Sequence, residues 1–231
     1  MESIVIATIK SWNLSAAKEF AQEHQKNFKV HVVSEKEALT EDLLSKIRPT
    51  YIFFPHWSWL IPESIFKKYT CVVFHMTDLP FGRGGSPLQN LLACGITKTS
   101  ISALQVDGGI DTGPIFLKQP FSLAYGNADE LLRHAAQIIF TEMIPNILKN
   151  RPQPVPQKGE ATLFKRRKPD ESNLGIAPLK TIDEYYNFIR MLDGEGYPPA
   201  FIPLPDGFIL QLKNATLKDG VVQGEFMLSK Q

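Results

Sequence analysis

The first third of the chain alternates short runs of β-branched and aromatic residues with amphipathic segments. SIVIATI (3–9), FKVHVVS (28–34), YIFFP (51–55) and CVVFH (71–75) are strongly apolar, the pattern of strands covered on both faces. Between them LSAAKEFAQEHQ (14–25), TEDLLSKI (40–47) and PESIFKKY (62–69) carry apolar residues at helical spacing, and Pro62 suits a first helical turn. Strands alternating with helices predict a parallel sheet, because each parallel pair needs a crossover to return the chain. The class is therefore α/β: a Rossmann-like, mostly parallel sheet with flanking helices. Ligands of such sheets bind beyond the carboxyl ends of the strands. That rule puts the loops Lys10–Asn13, His56–Trp59 and the one after His75 along a single edge, and makes this edge the expected site.

After the fourth strand comes FGRGGSPLQN (81–90). It is not a dinucleotide fingerprint, since the spacing is not G-x-G-x-x-G and no acidic residue ends a strand about 20 positions on. Nor does a Gly-Lys-Ser/Thr follow, as a P-loop requires. Its glycines allow positive φ and a close ligand, and Arg83 is either a phosphate contact or solvated. Ser86 and Gln89 are spaced as a capping box, with Pro87 in the first helical position and Gly95 placed to stop the helix. TSISALQV (99–106) and GPIFLKQPFSL (113–123) read as antiparallel strands joined by DGGIDT. A long helix then opens with Asn127 and Glu130 as cap and third residue and runs to about residue 148.

Past residue 150 the composition changes. KNRPQPVPQKGE (149–160) is polar and proline-rich, a linker or an extended strap. Thr181 and Glu184 cap a last helix, and turns at 205–207 and 218–220 delimit a small β unit. The expected organisation is a catalytic domain over 1–150, a strap over 151–173 and a C-terminal helix plus β unit over 174–231. The chain has 231 residues and a formal charge of +1, which gives no global reason to expect a nucleic-acid or membrane partner. It shows no signal peptide and no apolar run of about 20 residues. Cys71 and Cys94 lack metal or redox spacing and read as small buried thiols. A cytoplasmic location and no metal site are the expectations.

His75, ending a buried strand, needs a partner, and Asp111 lies in a turn able to fold back over the strand ends. An aspartate beside a histidine favours the imidazolium and fixes the ring. Such a pair serves equally as a structural contact or as an oxyanion stabiliser and proton shuttle.

H-x-x-x-L-P-x-x-R-G-x-x-P-x-Q (His75, Leu79, Pro80, Arg83, Gly84, Pro87, Gln89), with the aspartate of G-I-D-T-G-P-I (Asp111), resembles the folate-dependent formyltransferases. R-R-K-P-D-E-S (166–172) and Y-P-P-A-F (197–201) resemble the junction and C-terminal unit of that family's tRNA and sugar-nucleotide members. The resemblance implies N10-formyltetrahydrofolate as donor and a primary amine as acceptor. His75 is implied as oxyanion stabiliser, with Asp111 keeping it charged and passing the proton of the amine. Leu79, Phe81, Arg83, Gly84, Val106, Asp107, Gly108 and Gly109 are implied to hold the folate. Members usually carry an asparagine two residues before the histidine; here Val73 stands there, and His56 and Thr77 are the candidate substitutes. The loops KSWN and FPHWSW are most similar to the sugar-nucleotide enzymes. They imply a nucleotide-linked amino sugar, UDP rather than dTDP, held by Lys10, Trp12, Asn13, Trp57 and Thr77, with no nucleic-acid partner. The alternatives are a methionyl-tRNA or peptidyl-carrier formyltransferase, a formate-releasing hydrolase, and a folate-binding module without catalysis. Apolar Phe201, Ile202 and Phe208 either close the subunit or form the interface of a homodimer, the state implied for sugar enzymes.

Overall fold

The structure, a computed structural model, describes residues 1–230. The strands are β1 (Glu2–Ala7), β2 (Phe28–Val33), β3 (Tyr51–Phe54), β4 (Thr70–His75), β5 (Arg83–Gly84), β6 (Lys98–Gln105), β7 (Ile115–Ser122), β8 (Leu163–Phe164), β9 (Ala200–Pro203), β10 (Phe208–Lys218) and β11 (Val221–Lys230). The α-helices are α1 (Ser11–Glu23), α2 (Glu41–Ile47), α3 (Glu63–Phe66), α4 (Pro87–Ala93), α5 (Ala128–Ile138), α6 (Ile144–Asn150) and α7 (Ile182–Arg190). The chain forms two units that interleave along the sequence. One comprises residues 1–83, 100–121 and 133–163; the other comprises 84–99, 122–132 and the chain from Phe164 on.

The first unit is built on a sheet of order β2-β1-β3-β4-β6-β7. Strands β1, β2, β3 and β4 pair in parallel and β6 runs antiparallel to β4, so the α/β expectation holds. The strand order reverses between β1 and β3, the switch point at whose carboxyl ends sheets of this kind bind their ligands. Strands β1 and β3 are buried along most of their length because helices cover both faces, which explains their unbroken apolar runs. Cys71 and Val73, two apart on β4, pack into one core cluster with Val5, Ile52 and Phe54. Period-two alternation places His75 on that same face.

Several ends differ from expectation. Helix α1 begins at Ser11, three residues early, and Pro62 is the cap of α3 rather than its first helical residue. The long helix contains a π-helical stretch over Ile139–Met143. The cause is Pro145, which has no N–H and whose ring crowds the carbonyl four residues back, so the turn widens.

The second unit holds a sheet of order β11-β10-β9 and helices α4 and α7. The expected box at Ser86 is not formed: Ser86 takes φ 51 and its hydroxyl accepts from the Arg167 amide at 3.1 Å. Asn127 and Glu130 do close a box, at 2.9 and 3.0 Å, as do Thr181 and Glu184. Gly95, at φ 69, ends α4 with the Gly95 and Ile96 amides donating to Leu92 and Leu91. Asp219 and Gly220 both have positive φ, the geometry of a two-residue hairpin turn. Phe201 and Ile202 are half-buried, whereas Phe208 is exposed.

Candidate active site

Five non-glycine residues of the first unit have positive φ; Arg48 and Arg151 end helices, and the other three are Lys10 after β1 (φ 72), His56 after β3 (φ 56) and Asp111 before β7 (φ 53). Non-glycine side chains are strained in that region, and such strain gathers where loop position matters more than loop comfort.

His75 ends β4 and is 7% exposed. Its Nε2 donates to the Gly82 carbonyl at 2.7 Å, and its Nδ1 faces Asp111 Oδ2 at 3.5 Å. A carbonyl oxygen only accepts, so the proton on Nε2 is fixed by its partner. The carboxylate on the other side is an acceptor as well. The Thr77 hydroxyl reaches the same Gly82 oxygen at 3.4 Å, so two donors converge on one acceptor.

The loop that supplies Gly82 is pinned from outside. Lys118 Nζ holds Asp78 Oδ1 at 2.5 Å and the Leu79 carbonyl at 2.6 Å. The Gly82 amide donates to Thr162 Oγ1 at 2.7 Å and the Arg83 amide to the Thr162 carbonyl at 3.0 Å. The Arg83 guanidinium is engaged within the protein: Nε and Nη2 donate to Gln157 Oε1 at 3.1 and 2.8 Å. Gln157 Nε2 in turn donates to the Asp111 and Gly113 carbonyls, both at 2.8 Å. Gln157, Thr162 and Lys118 have no place in the sequence reading. They sit in a proline-rich stretch and on a strand, and no spacing marks a residue that works only across a turn.

The remaining predicted residues separate into buried and accessible. Thr77 is fully buried and Leu79 is 1% exposed, so neither offers surface to a substrate in this conformation. Trp57 packs on the core and meets Phe54 and Trp59 edge-on at 5.8 and 4.8 Å. Trp12 lies with its ring 6.2 Å from His56 and under Arg133 at 4.9 Å. Trp12 Nε1 and Asn13 Oδ1 are buried without a hydrogen-bond partner in the protein, which is costly unless something else supplies one. Phe81 is exposed; the Val106 amide is taken by the Cys71 carbonyl. Asp107 Oδ1 accepts from the Gly109 amide and Thr112 Oγ1 at 2.9 and 2.5 Å, leaving Gly108 and Gly109 at the surface. Gly84 belongs to the second unit, where φ 103 and a Phe164 carbonyl 2.4 Å from any added Cβ require glycine. Val73 pairs with Leu104 and Phe54 and cannot donate. Among the described residues no acidic, histidine and cysteine group is arranged to hold a metal, and no helix is long and apolar enough to cross a membrane.

Residues 169–229 match the family model described as methionyl-tRNA formyltransferase, C-terminal domain. A methionyl-tRNA formyltransferase of Rickettsia massiliae is 33% identical over 119 residues, 51% of this chain and 39% of the relative, so the matched stretch spans about two fifths of that protein. A solved structure named methionyl-tRNA formyltransferase from Clostridium thermocellum superposes with a TM-score of 0.95 at 50% identity, covering all of both chains. A structure from Mycobacterium tuberculosis described as a likely sugar N-formyltransferase shares the fold, with a TM-score of 0.71 over 92% of this chain and 97% of its own, at 16% identity.

These matches overturn two expectations. The amino-sugar acceptor rested on short loops, whereas the 50% identity across the whole length is to a protein named for methionyl-tRNA. The exclusion of nucleic acid rested on net charge, a sum over the molecule that is blind to local clusters. A relative half identical over its full length fixes the assignment, and the chain belongs to the formyltransferase family.

Proposed function

We propose that this protein transfers a formyl group from N10-formyltetrahydrofolate to the amine of methionyl-tRNA. The observation that carries the reading is His75, held between the Gly82 carbonyl and the Asp111 carboxylate at the carboxyl edge of a parallel sheet, in a chain half identical to a protein named for that reaction. The neutral amine attacks the formyl carbon, a C–N bond forms, and the carbonyl electron pair moves onto oxygen. The His75 Nε2–H, now given to the Gly82 oxygen, is handed to that oxyanion, one acceptor replacing another. Val73 cannot supply the second donor that the family's asparagine gives at that position, so His75 carries the oxyanion. Collapse breaks the bond from carbon to N10, and the proton of the amine passes to N10 by way of the Asp111–His75 pair. The folate lies against Phe81 and the exposed backbone at Gly108 and Gly109. Lys165, Arg166 and Lys168 are exposed and adjacent in the second unit, and they supply the positive charge for tRNA phosphates.

The test is incubation of the purified protein with N10-formyltetrahydrofolate and methionyl-tRNA, with N-formylmethionine read by mass spectrometry after deacylation. Accumulation of N-formylmethionine is expected. Its absence, with formyl transfer to a UDP- or dTDP-linked amino sugar in a parallel sample, overturns the reading.

A further inference from the structure

We infer that Gln157, in the proline-rich strap, is a positioning residue that holds Asp111 against His75. The reading rests on the function proposed above for that pair. Its side chain closes a ring of contacts within the first unit. Starting at His75, the ring passes through the Gly82 carbonyl (2.7 Å), along the backbone to Arg83, and from its guanidinium to Gln157 Oε1 (2.8 and 3.1 Å). It continues from Gln157 Nε2 to the Asp111 carbonyl (2.8 Å) and returns from the Asp111 carboxylate to His75 Nδ1 (3.5 Å).

The amide is the one side-chain type that fits. One end must accept from a guanidinium, which only donates, and the other must donate twice to carbonyls, which only accept. The ring also explains how Asp111 keeps φ 53 on an exposed hairpin turn. Gln157 Nε2 ties down the carbonyls on both sides of Thr112, at Asp111 and Gly113, and Gly113 is pressed so close to the Gln105 carbonyl that an added Cβ would sit 1.7 Å from it. The strap is itself registered by the Val155–Ile115 bridge, with amides donating both ways at 2.8 and 2.9 Å. A left-handed aspartate is costly to hold, and the strap supplies the restraint.

The decisive variant is Gln157→Glu. It keeps an acceptor for Arg83 but loses both donors to the Asp111 turn. A residue that only fixed the glycine-rich loop would tolerate it; a residue that positions Asp111 would not. Expected is a kcat lowered about ten- to hundredfold, a KM for the formyl donor within about twofold of wild type, and an unchanged melting temperature. In single-turnover reactions Gln157→Glu should add nothing further in an Asp111→Asn background, because both changes remove the same contact. Wild-type kcat in Gln157→Glu, or full additivity with Asp111→Asn, overturns the proposal. Crystal structures of wild type and Gln157→Glu decide the matter without substrate. Displacement of the Asp111 carboxylate from His75 is expected, and an unmoved carboxylate sinks the positioning role even if the acceptor proves to be other than methionyl-tRNA.

Discussion

At the scale of single residues, the site depends on groups whose partners fix their state. His75→Ala removes the ring that leans on a carboxylate through Nδ1 and points a proton at an oxygen through Nε2. Formyl transfer should fall about a hundredfold or more, the cost of losing one oxyanion donor, while circular dichroism stays that of the wild type. Loss within the error of the assay would assign His75 to structure alone. The two cysteines differ in the same residue-level way. Burial pushes the Cys71 thiol up to about 12, so at pH 8 it stays protonated and unreactive, whereas Cys94 is exposed. A thiol-reactive chromophore should therefore count one fast thiol per folded chain and two after denaturation. Two fast thiols would contradict the packing of β4. The sequence placed Cys71 correctly among buried thiols but not Cys94, because a residue at the end of a short helix shows its exposure only once its neighbours are in place.

At the scale of elements, caps and crossings decide what patterns cannot. Ser86-x-x-Gln89 and Thr181-x-x-Glu184 look alike as strings. Only the second forms a box, because Ser86 sits at φ 51 with its hydroxyl turned to the Arg167 amide and Gln89 is buried with its amide on the Met191 carbonyl. Helix α7 carries a similar surprise. Arg190 is 1% exposed, with its guanidinium on the Leu123 and Gly126 carbonyls at 2.8 Å each, on Asn187 at 2.9 Å, and over the Tyr186 ring. Burial lowers its pKa, yet it stays a cation that satisfies the buried Leu123 carbonyl and the half-buried Gly126 carbonyl. Arg190→Met should cost about 3 kcal/mol, since charged hydrogen bonds are lost and acceptors are left dry. A urea midpoint unchanged from wild type would show that water reaches those carbonyls.

At the scale of the whole molecule, charge and chain order mislead and the fold corrects them. A net charge of +1 suggested no nucleic-acid partner, yet Lys165, Arg166 and Lys168 form an exposed local cluster. Replacing all three by alanine should weaken tRNA binding and flatten its dependence on salt, the slope falling by about one for each phosphate contact removed. An identical slope would take the cluster out of the interface. The alternation of apolar runs with amphipathic segments determined the parallel sheet and the edge on which a site would lie. Periodicity is a local property, and burial on two faces needs an unbroken apolar run wherever it occurs. The H-x-x-x-L-P motif likewise picked out His75 and Asp111 as a pair. Only the tertiary structure decided that Gly82 O caps the other side of His75, that Arg83 serves Gln157, and that a proline-rich strap reaches Asp111. The last two contacts join residues 74 and 46 positions apart, and an amide that satisfies a distant carbonyl leaves no period in the chain that carries it.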